Sequence, residues 1–260
     1  MFIFGLGYSA KRIRKVLESR GWRVSATGSA GELAFDDEPG VRAALATASH
    51  VLSSVPPGET GDPVLARYGP ALSQAWLGYL SSTGVYGDTG GAWVDESAPV
   101  GAGRRTARAA ADCAWLALGA RVFRLPGIYG PGRSALARVR ESRAHRIELP
   151  DQVFSRIHVD DLASGVIAGL EGPSGAYNLA DDLPASQNAV IDEACRLLGR
   201  EPPPLMPLEE AALSPQARAF YAENRRVASG RARRALGWSP RYSDFRSGLR
   251  ACARAARSDP

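Results

Sequence analysis

Short apolar runs alternate with segments of helical spacing through roughly the first 180 residues. Phe2-Ile3-Phe4 is wholly apolar and runs into glycine, as expected of a strand buried on both faces. Residues 10–20 carry apolar side chains at helical intervals and stop at Gly21, which predicts a helix. The same two textures recur, with strands expected over 22–27, 50–55, 76–82, 120–125, 157–159 and 176–180. Helices are expected over 106–118, 134–143 and 161–170. Such alternation predicts βα units and a parallel sheet, so the expected fold is α/β, a Rossmann-type doubly wound parallel sheet. From about Leu183 the texture changes. A helix over 187–198 stops at Gly199, three prolines follow, and the rest is arginine-rich helix. Phe220, Tyr221, Leu236, Trp238, Tyr242 and Phe245 supply core material there. The expected division is a Rossmann domain over 1–182 and a smaller C-terminal substrate lobe over 183–260, with contributions from about 126–155.

Gly5-Leu6-Gly7-Tyr8-Ser9-Ala10 fits the GxGxxG/A pattern of dinucleotide-binding loops. The pattern gains weight from its context, directly after an apolar strand and at the opening of a helix. Gly5 permits the tight turn, Gly7 lets the backbone approach a pyrophosphate, and Ala10 lets helix and strand pack closely. Free N–H groups at the helix start then face the phosphates. Expected cofactor contacts are Gly5, Gly7, Tyr8, Ser9, Ala10, Lys11, Thr27 and Ser53. An NAD site usually carries a carboxylate at the end of strand two, but Ala26-Thr27-Gly28-Ser29 has none. Lys11 and Arg12 are placed to meet a 2′-phosphate or to form the exposed face of a helix. The expected cofactor is NADP in preference to NAD.

Composition narrows the picture. The net charge of +5 is almost entirely arginine, because Lys11 and Lys15 are the only lysines. Ten arginines face three acids from Phe220 onward. They lack interleaved aromatics, so a solvated face with a few arginines aimed at a phosphorylated ligand is favoured over a nucleic-acid patch. No apolar run reaches the ~18 residues of a membrane span, and no signal peptide is recognisable. Cys113, Cys195 and Cys252 are scattered and odd in number, which argues against a disulfide framework or a metal site. A cytoplasmic protein with a small-molecule substrate, no nucleic acid and no membrane is expected, with a homodimer left open.

Four further segments carry a resemblance. Ser81-Ser82-Thr83-Gly84-Val85-Tyr86-Gly87, RLPGIYGPGR over 124–133, RIHVDDLA over 156–163 and YNLADD over 177–182 resemble the extended short-chain dehydrogenase/reductases in order and spacing. Those are NAD(P)-dependent epimerases, dehydratases and reductases. The strings GDPVLARYG, YGDTGGAWVDE and FYAENRRV are similar to an atypical subgroup, the NAD(P)-dependent epimerase/dehydratase family. The resemblance implies that Ser82 hydrogen-bonds the reacting oxygen and that Pro126, Gly127 and Ile128 pass beside the nicotinamide. It places Thr83, Arg133 and Arg156 toward the substrate. The family's phosphate-binding arginine would fall on Phe154, so Arg156 is the nearby candidate. His158 is expected to be structural.

The family's chemistry rests on a YxxxK pair, in which the lysine and nicotinamide lower the tyrosine's pKa. Here Arg104 stands in the tyrosine's place and Arg108 in the lysine's. Arginine supplies charge but cannot act as a base at accessible pH. Tyr86, Asp88, Asp95, Glu96 or a water are the remaining candidates for moving a proton. The expected function is an NAD(P)-dependent oxidoreductase or epimerase/dehydratase-like enzyme acting on a carbonyl or hydroxyl of a small, nucleotide-linked or phosphorylated substrate. The alternative is a non-catalytic NAD(P)- or metabolite-binding sensor.

Overall fold

The computed structural model describes residues 1–74, 76–101 and 106–258. Arg104 therefore lies outside the described residues. Six parallel strands form the central sheet: β1 (Phe2–Phe4), β2 (Ser25–Ala26), β3 (His50–Ser53), β4 (Trp76–Ser82), β6 (Arg121–Leu125) and β10 (Gly175–Asn178). Their order is β10-β6-β4-β3-β1-β2. The chain leaves β1 toward β2 on one side and returns to β3 on the other. That reversal opens a crevice beyond the carboxyl ends of β1 and β3, where open α/β sheets bind ligands.

Three two-stranded parallel pairs complete the β structure: β5 (Trp93–Val94) with β12 (Arg226–Val227), β7 (Gly127–Tyr129) with β9 (Arg156–His158), and β8 (Arg146–Ile147) with β11 (Leu205–Met206). The helices are α1 (Tyr8–Glu18), α2 (Glu38–Thr47), α3 (Pro63–Tyr68), α4 (Thr106–Ala117), α5 (Ala135–Arg140), α6 (Val159–Ala168), α7 (Gln187–Leu198), α8 (Pro215–Phe220), α9 (Gly230–Leu236) and α10 (Phe245–Ser258).

Both faces of the sheet are covered. Ile3, Ile13, Leu17, Phe123, Leu162 and Tyr177 form a buried cluster on the α1/α6 side. Phe2, Phe4, Val51, Tyr68, Tyr79 and Trp115 form another on the α2–α4 side. This two-sided burial explains why the strands read as continuous apolar runs. A third cluster joins α5, α7 and α10 through Leu136, Val139, Ile191, Phe245 and Leu249.

Two helices escape the periodicity reading, α2 and α3, and both depend on their caps. Asp37 accepts the Gly40 N–H and Pro39 opens the first turn of α2. Asp62 accepts the Val64 and Leu65 N–H groups at 2.9 and 3.0 Å, and its other oxygen accepts the Trp115 indole at 2.9 Å. Strand two is shorter than the expected 22–27 because it is an edge strand whose only ladder partner is the three-residue β1. The C-terminal segment is fastened to α6 by Asp161, whose carboxylate accepts the Arg241 and Tyr242 N–H groups at 2.7 and 3.0 Å.

A buried network sits beneath the carboxyl end of β4. Arg124 pairs with Asp112 through two bonds of 2.7 and 3.1 Å, and Ser81 donates to the same carboxylate at 2.6 Å. Arg124 also donates to the Tyr86 hydroxyl at 3.0 Å, which in turn donates to Asn178 at 2.8 Å. Removing one member of a buried ion pair leaves the other charge uncompensated, at a cost of about 3–5 kcal/mol. Asp112→Asn should lower unfolding free energy by about that amount in urea titrations. A loss under 1 kcal/mol would show that the network does not hold α4 to the sheet.

Candidate functional site

The glycine loop is held from below and open above. Gly5 adopts φ +82°, a left-handed conformation that favours glycine, and its N–H donates to Thr27 Oγ1 at 3.1 Å. Thr27 is fully buried, and its carbonyl accepts the Leu6 N–H at 2.9 Å. Ser54 Oγ donates to the Gly5 carbonyl from the other side of the crevice. Gly7 caps α1 without any side-chain hydrogen bond, so the helix start keeps N–H groups for an anion. A Cβ at Gly7 would meet nothing within 4 Å. A dinucleotide diphosphate fits this cradle.

From the loop a cavity of about 940 Å³ runs past Ser82, Thr83, Arg108, Pro126, Gly127 and Ile128. It ends against α5 and the 213–227 segment, where Arg133, Arg138, Tyr221 and Arg225 line it. Gly7, Tyr8, Ser9 and Ala10 form its other end. The cavity thus gathers most of the residues expected from sequence into one space. Ser82 sits where β4 ends and accepts the Gly84 N–H at 3.1 Å. Arg108 lies one turn before Asp112 on the same face of α4, which brings it to the carboxyl edge of the sheet. Its guanidinium lies 3.5 Å from the Tyr79 hydroxyl.

Four expectations need correcting. Tyr86 is buried, bonded to Arg124 and Asn178, and absent from the described cavity wall. Burial raises its pKa, so it is a structural hydroxyl and not a substitute acid. Ser53 is buried within β3 and does not reach the cavity. Ser54, the next residue, does. Thr27 supports the loop from beneath and is not itself on the cavity wall. Arg12 forms an ion pair with Asp160 at 2.5 Å, and Lys11 lines a separate groove with it, so neither faces the main cavity.

The expected structural role of His158 matches its geometry. It caps α6 by accepting the Asp160 N–H, and burial lowers its pKa to about 4, keeping the ring neutral. Arg156 does line the cavity, donating at 2.8 Å to the Phe154 and Ala185 carbonyls. Desolvation lowers its pKa to about 10. Asp181 is buried close by, and burial raises its carboxyl to about 8 against the pull of Arg156.

Arg138 and Arg225 also line the cavity and were not among the expected site residues. Arg138 opens into the cavity yet is surrounded enough for desolvation to lower its pKa, while Arg225 pairs with Glu223 at 2.9 Å. On a helix read only as periodic, a cavity-facing arginine looks like any solvated one.

Comparison with known proteins follows the same lines. No known family profile matches the chain. A protein of Silicibacter pomeroyi DSS, described as functionally unknown and conserved, is 38% identical over 98% of both chains, with a TM-score of 0.87. The human epimerase family protein SDR39U1, solved with NADPH, is 18% identical over 98% of this chain and 99% of that one, TM-score 0.77. At that identity the likeness shows a shared fold, the α/β architecture with its six-stranded parallel sheet. A 3-diazoavenalumate denitrifying reductase from Streptomyces sp is 33% identical over 141 residues. That match spans 49% of this chain and 45% of the Streptomyces protein, so the chain covers under half of its relative.

Two outcomes test the site. Gly7→Asp should abolish dinucleotide binding in calorimetry while leaving the melting temperature near wild type, since the new carboxylate projects into open space against the diphosphate. Asp181 titrates near 8 when folded and near 4 in an unfolded chain. Between those values the folded state holds more protons, so stability falls as pH rises from about 4 to about 8. Asp181→Asn should remove that slope, raising the melting temperature at pH 8.5 far more than at pH 5. Equal shifts at both would place the carboxyl's titration elsewhere.

Proposed function

We propose that the chain is an NAD(P)-dependent reductase, with NADP(H) preferred, that passes hydride to a small anionic substrate held beside Ser82. The observation that carries this reading is the continuous cavity joining the open α1 cap to Ser82, to Pro126 and to Ile128 of β7. When bound, the cofactor supplies the hydride. The chain's own residues bind, orient and exclude water: Gly7 and the α1 N–H groups take the diphosphate, Pro126 and Ile128 flank the ring, and Ser82 with Thr83 holds the reacting end. Arg133, Arg138 and Arg156 give the far end its positive charge.

A one-way reductase fits better than an epimerase. Epimerisation through a keto form needs a group that takes a proton from a hydroxyl and gives it back. Among the described cavity residues, Tyr8 has its hydroxyl pushed up to about 12 by burial and donates it to the Pro131 carbonyl. Tyr129 and Tyr221 are raised by the same cause, and Glu141 and Glu223 pair with Arg143 and Arg225. The Streptomyces relative, named as a reductase, supports the same direction. That relative acts, by its name, on a diazo compound, and a diazo substrate is a second class to screen.

The NADP preference rests on the missing carboxylate at 26–29. Glu32, the nearest acid, is engaged by the Ala26 N–H at 2.9 Å and by Arg14 at 2.6 Å. Arg14 neutralises it, which leaves the pocket tolerant of a 2′-phosphate. NADPH should bind more tightly than NADH in calorimetry, and Arg14→Gln, by exposing the Glu32 charge, should narrow the gap severalfold. Tighter NADH binding to the wild-type protein would overturn the preference.

Turnover is tested by NADPH oxidation against anionic carbonyl, sugar-nucleotide and diazo compounds. Arg138→Gln should raise KM about tenfold or more with little change in kcat, the loss of one charge-assisted contact being worth about 1.5–3 kcal/mol. Tight NADPH binding with no turnover of any class would favour the sensor alternative.

A further inference from the structure

Resting on the reductase reading above, we infer that the Arg108 end of the cavity is a phenolate site. Its substrates are quinone-type acceptors whose oxygen becomes a phenolate when an adjacent conjugated carbon takes the hydride.

The inference follows from what faces that end. Ser82, Thr83, Arg108, Pro126, Gly127 and Ile128 line it among the described residues. They comprise one cation, two neutral hydroxyls and apolar or backbone groups. An ordinary ketone reduced by hydride becomes an alkoxide, far more basic than water, and must be protonated as it forms. None of these six described groups has a proton to give near neutral pH. Of the other titratable residues on the cavity wall, Tyr8, Tyr129 and Tyr221 have hydroxyls that burial pushes up, and Glu141 and Glu223 pair with Arg143 and Arg225. Tyr79, against which Arg108 lies, is buried off the cavity with its hydroxyl pushed up to about 12. Asp112, one turn along α4, is consumed by Arg124 and Ser81. Asp62, beneath Tyr79, is consumed by the α3 cap and Trp115. Among the described residues the site therefore holds a negative oxygen and supplies no group to neutralise it.

A quinone methide or quinone diazide asks for that and no more. Hydride forms the new C–H bond at the conjugated carbon. The displaced π pair moves through the ring to the carbonyl oxygen, giving a phenolate; in the diazide the C–N bond breaks and N₂ departs. The nicotinamide is oxidised by two electrons and no proton is consumed. A phenol ionises near pH 10, so its anion persists beside a guanidinium, which stays charged throughout the working range. Preorganised cation and hydroxyl donors act where the charge develops.

The test begins without turnover. 4-Nitrophenol, whose ionised form absorbs separately, is titrated with the full-length protein saturated with NADP⁺. The bound phenol should ionise at least one pH unit lower than the free one, a tenfold preference for the anion. Arg108→Gln should erase the shift and Arg108→Lys should keep most of it. With NADPH, p-benzoquinone diazide should yield phenol with kcat flat from pH 6 to 9, at least a hundredfold faster than benzaldehyde is reduced. Arg108→Gln should cut kcat tenfold or more. An unshifted or upward-shifted nitrophenol overturns the inference and leaves the reductase reading standing. So does benzaldehyde reduced at a comparable rate with kcat falling at high pH, which would reveal a proton donor. Failure to bind either nicotinamide nucleotide overturns the reductase reading, and the inference with it.

Discussion

The ion pair between Asp112 and Arg124 is the constraint on which the geometry of the cavity hangs. Both side chains are out of water, so each is tolerable only with the other in place and its remaining hydrogen bonds filled. Ser81 fills one lone pair of the carboxylate, and Tyr86 takes the third guanidinium contact. The result fixes α4 in height against β4 and β6. Arg108, one turn nearer the helix start, is thereby delivered to the carboxyl edge of the sheet. The network continues outward, because the Tyr86 hydroxyl reaches Asn178, whose amide donates to the Ala228 carbonyl at 3.1 Å. The wall of the cavity on the C-terminal side is thus tied to the same buried charge as the wall on the α4 side.

The two ends of the cavity meet their ligands by different physics. At the glycine loop no side-chain charge is used. Backbone N–H groups, a helix dipole and two hydroxyls holding Gly5 in shape do the work. At the far end guanidinium groups dominate, on a lobe assembled from α5, α7 and α10. An elongated ligand with a diphosphate in one half and an anion beyond the other would complement both. The stretch of Pro126, Gly127 and Ile128 lines the same cavity without contributing a charge.

Much of this was legible in the chain itself. The apolar strand before Gly5, the helix after it and the order of the four family segments carry the fold, because buried parallel strands and tight βα turns impose composition directly. Ser82, Thr83 and Pro126 reach the cavity for the same reason, each standing at the carboxyl end of β4 or β6, while Ile128 and Arg156 reach it from the paired strands β7 and β9. Side-chain direction was not legible. Lys11 and Arg12 follow the glycine loop by one and two residues, yet helical geometry turns them toward α6 and Asp160. Ser53 and Ser54 differ by one position, and strand alternation sends one into the core and the other to the ligand. Tyr86 belongs to a motif beside the site but spends its hydroxyl on Arg124. Arg138 could not be picked out, since an arginine on a short helix looks the same whether a cavity or bulk water lies beyond it.

The two departures from the family pair reduce to one change. A lysine in the family's position serves chiefly to tune a tyrosine, by a charge close enough to hold the phenol near its ionisation point. Once the tyrosine is gone there is nothing to tune, and a compact, movable ammonium loses its advantage. A guanidinium is planar, permanently charged and weakly hydrated, which suits it to stand against an anion and not to exchange protons with one. Arg108 is held to the sheet's edge through α4 and donates to the Tyr79 hydroxyl, which burial keeps protonated, so among the described residues no acid pairs with its charge. On the proposed reading, losing the acid and fixing the cation are the same adaptation. Both move the demand for a stable anion from the protein to the substrate, whose own conjugation must carry the charge that the enzyme does not neutralise.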